Sequence, residues 1–213
     1  MPIHVIGLGM NLEDQPSSVR ELLASCSTLC GGDRILHACA QHPARKIRIK
    51  APLESVLDQI QAARARNERI AVLADGDPLF YGIGRRLLRD IPAHEMSFHP
   101  GVTALQAAAA RLKIPWDQVQ TVSLLGRQEL HPVLQLMSRH ELIGVYTDAT
   151  WSPDVIARAL QERDIDHFVL HVCEDLDLPT EKIHSLDCEQ AVRLGFSPLN
   201  FVLLQRIKKP EIS

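Results

Sequence analysis

The chain has 213 residues, 46% of them hydrophobic and 23% charged, with a formal net charge of −3. This composition excludes a disordered tail, a collagen-like fibre and a disulfide-stapled mini-protein, and the length suits one large domain or two small ones burying roughly 70% of the unfolded surface. Only 4% of residues are aromatic and the balance is slightly acidic, which argues against stacking on single-stranded nucleic acid or gripping duplex phosphates.

Short apolar runs alternate with longer amphipathic ones, the pattern of a parallel-rich α/β architecture. Residues 3–8 (IHVIGL) read as a strand ending at glycine. Over 53–66, Leu53, Val56, Leu57, Ile60 and Ala63 recur at spacings of three and four, which predicts a helix. A buried strand follows at 69–74 (RIAVLA), then the turn Asp75-Gly76-Asp77-Pro78 and a helix over 80–90. After a further strand-like piece, Pro100-Gly101-Val102-Thr103 opens an alanine-rich helix from Ala104 to Leu112.

Near Pro115-Trp116-Asp117 a second series begins. Strands are predicted at 121–125, 142–147, 167–172 and 200–207. Ser152-Pro153-Asp154 is a helix start, with serine at the N-cap, proline at the first helical position and an acid at the positive dipole end. Val155, Ile156, Ala159 and Leu160 form that helix's apolar stripe. The expected division is an N-terminal domain over 1–114 and a C-terminal domain over 115–213. Clefts between such halves are where small-molecule sites usually lie.

No apolar run reaches bilayer length, and Met1-Pro2-Ile3-His4 lacks a basic n-region and apolar h-region. A cytoplasmic protein with no membrane or nucleic-acid partner is expected. Cys26, Cys30, Cys39, Cys173 and Cys188 are odd in number, without C-x-x-C spacing, and read as buried reduced thiols. Among the histidines, His37 and His42 are five apart around Cys39, a spacing that turns them apart on a helix. His167 and His171 share a strand face with no third ligand near in sequence, so no protein metal site is expected.

No nucleophile elbow, zinc-protease helix or Walker loop occurs. Gly7-Leu8-Gly9 follows a strand, but the third glycine of a dinucleotide fingerprint would fall at Leu12. The acids Glu13 and Asp14 there would also repel a pyrophosphate. The segment from Ala74 to Gly84 says more: Gly76-Asp77-Pro78 directly after a buried strand exposes backbone groups at the sheet's C-terminal edge. Alone, it also fits an ordinary strand–turn–helix corner with Asp77 as N-cap.

It does not stand alone. The loops Gly7-Leu8-Gly9, Asp75-Gly76-Asp77-Pro78-Leu79-Phe80-Tyr81-Gly82 and Pro100-Gly101-Val102-Thr103-Ala104, in this order, resemble the tetrapyrrole methylase superfamily. Further segments resemble its subfamily that methylates C5 of cobalt-precorrin-7 or the cobalt-free counterpart. These are Gly31-Gly32-Asp33-Arg34-Ile35-Leu36, Ala107 to Leu112, Ser123 to Arg127, Tyr146-Thr147-Asp148, Cys173-Glu174-Asp175-Leu176 and Ser197 to Phe201. The likeness runs from residue 3 to about 206.

The resemblance implies two α/β domains with the active-site cleft between them, S-adenosylmethionine as methyl donor, and a homodimer. By motif position it assigns Asp75, Gly76, Asp77, Phe80, Thr103, Ala104, Thr147 and Leu176 to the cofactor. Gly7, Gly9, Met10 and Arg127 go to the tetrapyrrole substrate, and no catalytic base is nominated. Arg34, Arg85, Arg86, Arg111 and Arg127 are candidates for the substrate's carboxylates. Any cobalt arrives inside the substrate. The fused relatives carry an appended domain for C15 methylation and decarboxylation, so a separate enzyme for that step is expected, most readily on the anaerobic, cobalt-early route.

Three departures from the family pattern stand out. Asp75 replaces a common serine, Leu125 replaces the histidine of His-Gly-Arg, and Met10 replaces a proline after the first glycines. The alternatives are a sister methylase acting on another ring carbon and a non-catalytic binder of S-adenosylmethionine or a corrinoid.

Overall fold

The computed structural model describes residues 2–10, 12 and 15–207; Glu13 and Asp14 lie outside the described residues. Residue contacts divide the chain into two compact units, Met1–Thr103 and Ala104–Ser213. The dividing point precedes the alanine-rich helix, which the sequence pattern had grouped with the first half.

In the first unit, β1 (Ile3–Gly7), α1 (Ser17–Ala24), β2 (Thr28–Gly31), α2 (Asp33–Ala38), β3 (Arg45–Arg48), α3 (Glu54–Ala65), β4 (Ile70–Ala74), α4 (Gly84–Asp90) and β5 (Met96–His99) follow in order. The strands form one sheet ordered β3-β2-β4-β1-β5, and every pairing is parallel. A parallel sheet needs cover on both faces, and the alternation of side chains along its strands provides two apolar surfaces. Val5, Cys30, Ile70 and Val72 pack with Val56 and Ile60 of α3 and Leu87 of α4. Ile6, Leu29, Ala71 and Leu73 pack with Leu23 of α1 and Ile35 of α2. All five residues of β4 are therefore buried.

In the second unit, α5 (Ala104–Leu112), β6 (Gln120–Ser123), α6 (His131–Met137), β7 (Leu142–Tyr146), α7 (Pro153–Gln161), β8 (Phe168–Glu174), β9 (Lys182–Leu186), α8 (Cys188–Val192) and β10 (Asn200–Arg206) surround a second five-stranded sheet. Its order is β6-β7-β10-β8-β9. Only β6 and β7 pair in parallel; the other three pairings are antiparallel. The parallel-rich expectation thus holds for the first unit and fails for the second. Ile143, Val145, Leu170, Val172, Val202 and Leu204 form one apolar sheet face, covered by α6, α7 and α8. Tyr146 and Phe201 are cross-strand partners whose rings meet edge to face at 5.0 Å. Helix α5 packs on β10.

Two local differences have clear physical reasons. The helix predicted over 80–90 begins only at Gly84, because Tyr81 takes a positive φ of 55° and Gly84 N bonds to Pro78 O at 2.8 Å. Ser152 does occupy the N-cap of α7, yet its hydroxyl donates to Asp154 Oδ1 at 2.6 Å and makes no cap bond to the helix.

Candidate functional site

Because β4, β1 and β5 are neighbours and parallel, the segments leaving them emerge at one edge of the sheet. This C-terminal edge is where open α/β sheets bind ligands. The three segments are the glycine-bearing loops singled out in the sequence. Leu8 N bonds to Ala74 O at 2.9 Å, Gly76 N to Gly9 O at 3.1 Å and Gly9 N to Gly76 O at 3.3 Å. Gly76 has a φ of +59°, a conformation that side chains disfavour. A Cβ on Gly101 would lie 2.4 Å from Gly76 O, 2.6 Å from Gly9 N and 2.7 Å from Gly7 O. The backbones therefore lie against one another with no room for a side chain.

Gly7, Gly9, Met10, Asp75, Gly76, Asp77, Phe80 and Thr103 belong to these three loops of the first unit. Asp77 Oδ1 accepts from Leu79 N at 2.8 Å and Phe80 N donates to Asp77 O at 3.2 Å, so the aspartate shapes its own turn. Asp77 is no N-cap, since α4 starts seven residues later. Leu79, Phe80, Tyr81 and Val102 are exposed, an apolar rim beside two carboxylates. Thr103 is buried. Asp75, the residue that replaces serine, forms an ion pair with Arg34 at the start of α2.

One supporting residue escaped the sequence reading. Gln15 is buried and its Nε2 donates to Leu8 O at 2.7 Å, propping the turn after β1. A lone glutamine in a polar stretch carries no signal for this.

In the second unit, Ala104 begins α5, and Leu105 N donates to Tyr146 Oη at 3.3 Å. Thr147 is buried; its Oγ1 lies 2.6 Å from Asn200 Oδ1 and 3.1 Å from Asn200 O. Asn200 Nδ2 donates to Ser197 O at 2.7 Å, and Ser197 Oγ to Asp175 Oδ1 at 2.6 Å. Ser197 N donates to the carboxylate of Glu174, which is only 5% exposed and takes His184 Nε2 at 2.9 Å on its other oxygen. Leu176 is buried beside this chain of bonds in sequence. Thr147 and Leu176 thus both sit on a cross-linked set of loops, and Glu174, Ser197 and Asn200 are the unassigned residues that hold it.

Arg127 lies after Gly126, and its Nε donates to Ser123 O at 2.8 Å. Asp148 accepts from the backbone N–H groups of Gly126, Thr150 and Trp151 at 2.8–3.0 Å. These bonds, that of Gly126 foremost, hold its carboxyl below the usual aspartate range. Arg111 is bound by Asp177 and Glu181, and Arg86 by Glu54 and Asp90. Both of these arginines are committed within their own units.

Relatives point the same way. A cobalt-precorrin-7 C(5)-methyltransferase of Salmonella typhimurium is 33% identical over 169 residues, which span 78% of this chain and 80% of that protein. A precorrin-6Y C(5,15)-methyltransferase (decarboxylating) of a Sinorhizobium species is 30% identical over 142 residues, 63% of this chain and 34% of that longer protein. The crystal structure of a uroporphyrin-III C-methyltransferase from Thermus thermophilus, complexed with S-adenosylhomocysteine, has the same fold. Its TM-score is 0.75 at 19% identity, with 96% of this chain and 92% of that one covered. The family model for Tetrapyrrole (Corrin/Porphyrin) Methylases matches residues 2–191. The chain is a member of the tetrapyrrole methylases.

Proposed function

We propose that this protein transfers a methyl group from S-adenosylmethionine to C5 of cobalt-precorrin-7 in cobalamin biosynthesis. The observation that carries the reading is the interlocked glycine cradle at the C-terminal edge of the first sheet. It supplies backbone groups at close approach, the carboxylate of Asp77 and an exposed apolar rim. That donor set suits the cofactor: a carboxylate for its cationic groups, apolar side chains for an adenine. The C5 position and the corrin substrate rest on the names of the relatives.

Within this reading Asp77, Gly76, Phe80 and Thr103 of the first unit hold the cofactor, and the family resemblance also assigns Ala104, Thr147 and Leu176 of the second to it. Asp75 contributes through its main chain, since its carboxylate is engaged by Arg34. Gly7, Gly9, Met10 and Arg127 face the tetrapyrrole. The bound cofactor supplies an electrophilic methyl group on a sulfonium, and an electron-rich meso carbon is a competent nucleophile for it. The protein's work is then alignment, which lowers a barrier by up to about 7–11 kcal/mol. The carboxylate of Asp77 is a binding group: the positive charge it attracts fades as the methyl leaves, so it strengthens the ground state more than the transition state. Leu79, Phe80 and Val102 help exclude water from the loops. By the family resemblance the protein acts as a homodimer, and its composition suits the cytoplasm. Among the described residues no helix is long and apolar enough to cross a membrane.

Incubation with cobalt-precorrin-7 and methyl-labelled S-adenosylmethionine tests the reading. Label at C5 is expected. Label at another ring carbon would make the protein a sister methylase, and no label at all would make it a binder.

A further inference from the structure

Strands β2 and β3 end at the same edge as β4, so Asp33 and Arg34 at the start of α2, Arg48 at the end of β3 and Asp75 after β4 are near neighbours. They form two ion pairs, Arg34 with Asp75 and Arg48 with Asp33. Arg34 and Asp75 are 51% and 58% exposed, Arg48 and Asp33 59% and 64%. Pairs this open to water are weak, and a carboxylate brought by a ligand can replace the internal one on nearly equal terms. Arg34 also lines a shallow depression of about 710 Å³, together with Asp33, Leu36, His37, Ala40 and Lys46. Its lining carries two fixed cations, Arg34 and Lys46, while its one carboxylate, Asp33, is taken up by Arg48.

We propose that Arg34 and Arg48 are the carboxylate-receiving edge of the substrate site, and that Asp75 and Asp33 hold their guanidinium groups until the carboxylates of a polyanionic macrocycle displace them. This rests on the tetrapyrrole reading above and names which basic residues serve it. Two of the other candidates, Arg111 and Arg86, are by contrast held by two carboxylates each. Arginine suits the task because its planar fork can bind a ligand carboxylate on one edge while releasing an aspartate from another. The aspartate at position 75 then acquires a purpose. It orients Arg34 beside the glycine loops and sets a threshold that only a multiply charged ligand passes.

The test is fluorescence titration of the intact protein with uroporphyrin III, an octacarboxylate tetrapyrrole, at constant ionic strength. The wild type is expected to bind. Arg34→Gln should weaken binding by about tenfold through loss of a charge-assisted contact. Asp75→Ser should tighten it by about threefold, because a competitor has been removed. All four side chains are exposed, so melting temperatures should stay close to wild type, which checks that the variants fold. A merely structural ion pair makes both substitutions act in the same direction. Equal weakening by both, an unchanged affinity in Arg34→Gln, or no binding by the wild type overturns the proposal. Opposite signs without label at C5 would sink the assigned reaction and leave this site standing; label at C5 with equal weakening would do the reverse.

Discussion

Asp77 does two separable things. Its Oδ1 takes Leu79 N and so shapes the turn, and under the proposed function its charge attracts the cofactor's cationic groups. Asp77→Asn keeps the acceptor and removes the charge. If the charge holds the sulfonium, the variant should fold normally yet bind S-adenosylmethionine about tenfold more weakly, with KM affected more than kcat. Calorimetry and steady-state rates check this; an Asn variant with wild-type affinity would mean that only the turn matters. The loop itself was legible in the sequence, because Gly-Asp-Pro after an apolar run marks a turn leaving a buried strand. The partner of Asp75 was not. Arg34 lies 41 residues away, and the pair exists only because β2 and β4 are adjacent in the sheet. Nothing local in either segment encodes that adjacency. Gln15 was equally hidden, since its role depends on which carbonyl its amide meets.

At the scale of elements, legibility followed the amount of apolar pattern. Strands β1, β4, β7 and β10 and helices α3, α5 and α7 were expected to within a few residues. Strand β3, Arg45–Arg48, buries only Ile47, and β9 buries no residue fully, so neither offers a periodic signal. Strand direction was the larger loss: alternation of side chains is the same in parallel and antiparallel ladders, so the three antiparallel pairings of the second sheet could not be read. Tertiary pairing also governs acid sensitivity. His4 on β1 and His99 on β5 approach within 3.3 Å, Nδ1 to Nε2. Burial lowers both below the usual histidine range, and for His4 the charge of His99 and then Arg69 lowers it further. The unfolded chain therefore takes up these protons first. Stability conferred by the neutral pair is complete above the unfolded value near 6.5 and is lost as pH falls toward the lower folded values. Urea midpoints should drop between about pH 7.5 and about pH 5.5, before most carboxylates titrate. The drop should be smaller in His99→Gln, which removes one titrating group and the repulsion on the other. An unchanged drop in that variant would place the sensitivity elsewhere.

The whole molecule is two contact units, each with its own apolar interior, and the five thiols are distributed between them. Cys26, Cys30 and Cys39 are buried in the first unit, Cys173 and Cys188 in the second, and all are free. Burial raises every one of them, and pushes Cys30 and Cys173 up to about 12, so the native thiols are protonated and sterically shielded at neutral pH. Alkylation then requires opening of the unit that holds the cysteine, which makes the set a built-in probe of cooperativity. The sheets have different ladders and separate cores, and their stabilities have no reason to coincide. Pulsed alkylation along a urea gradient, read by peptide mass spectrometry, should give two midpoints, one shared by Cys26, Cys30 and Cys39 and another by Cys173 and Cys188. S-adenosylhomocysteine at about 100 times its Kd should stabilise whichever unit holds most of its contacts, by up to about 2.7 kcal/mol. Under the proposed function that is the unit of the glycine loops, which holds the first three cysteines. Their midpoint should rise most, and a rise confined to Cys173 and Cys188 would move the cofactor out of the glycine loops altogether.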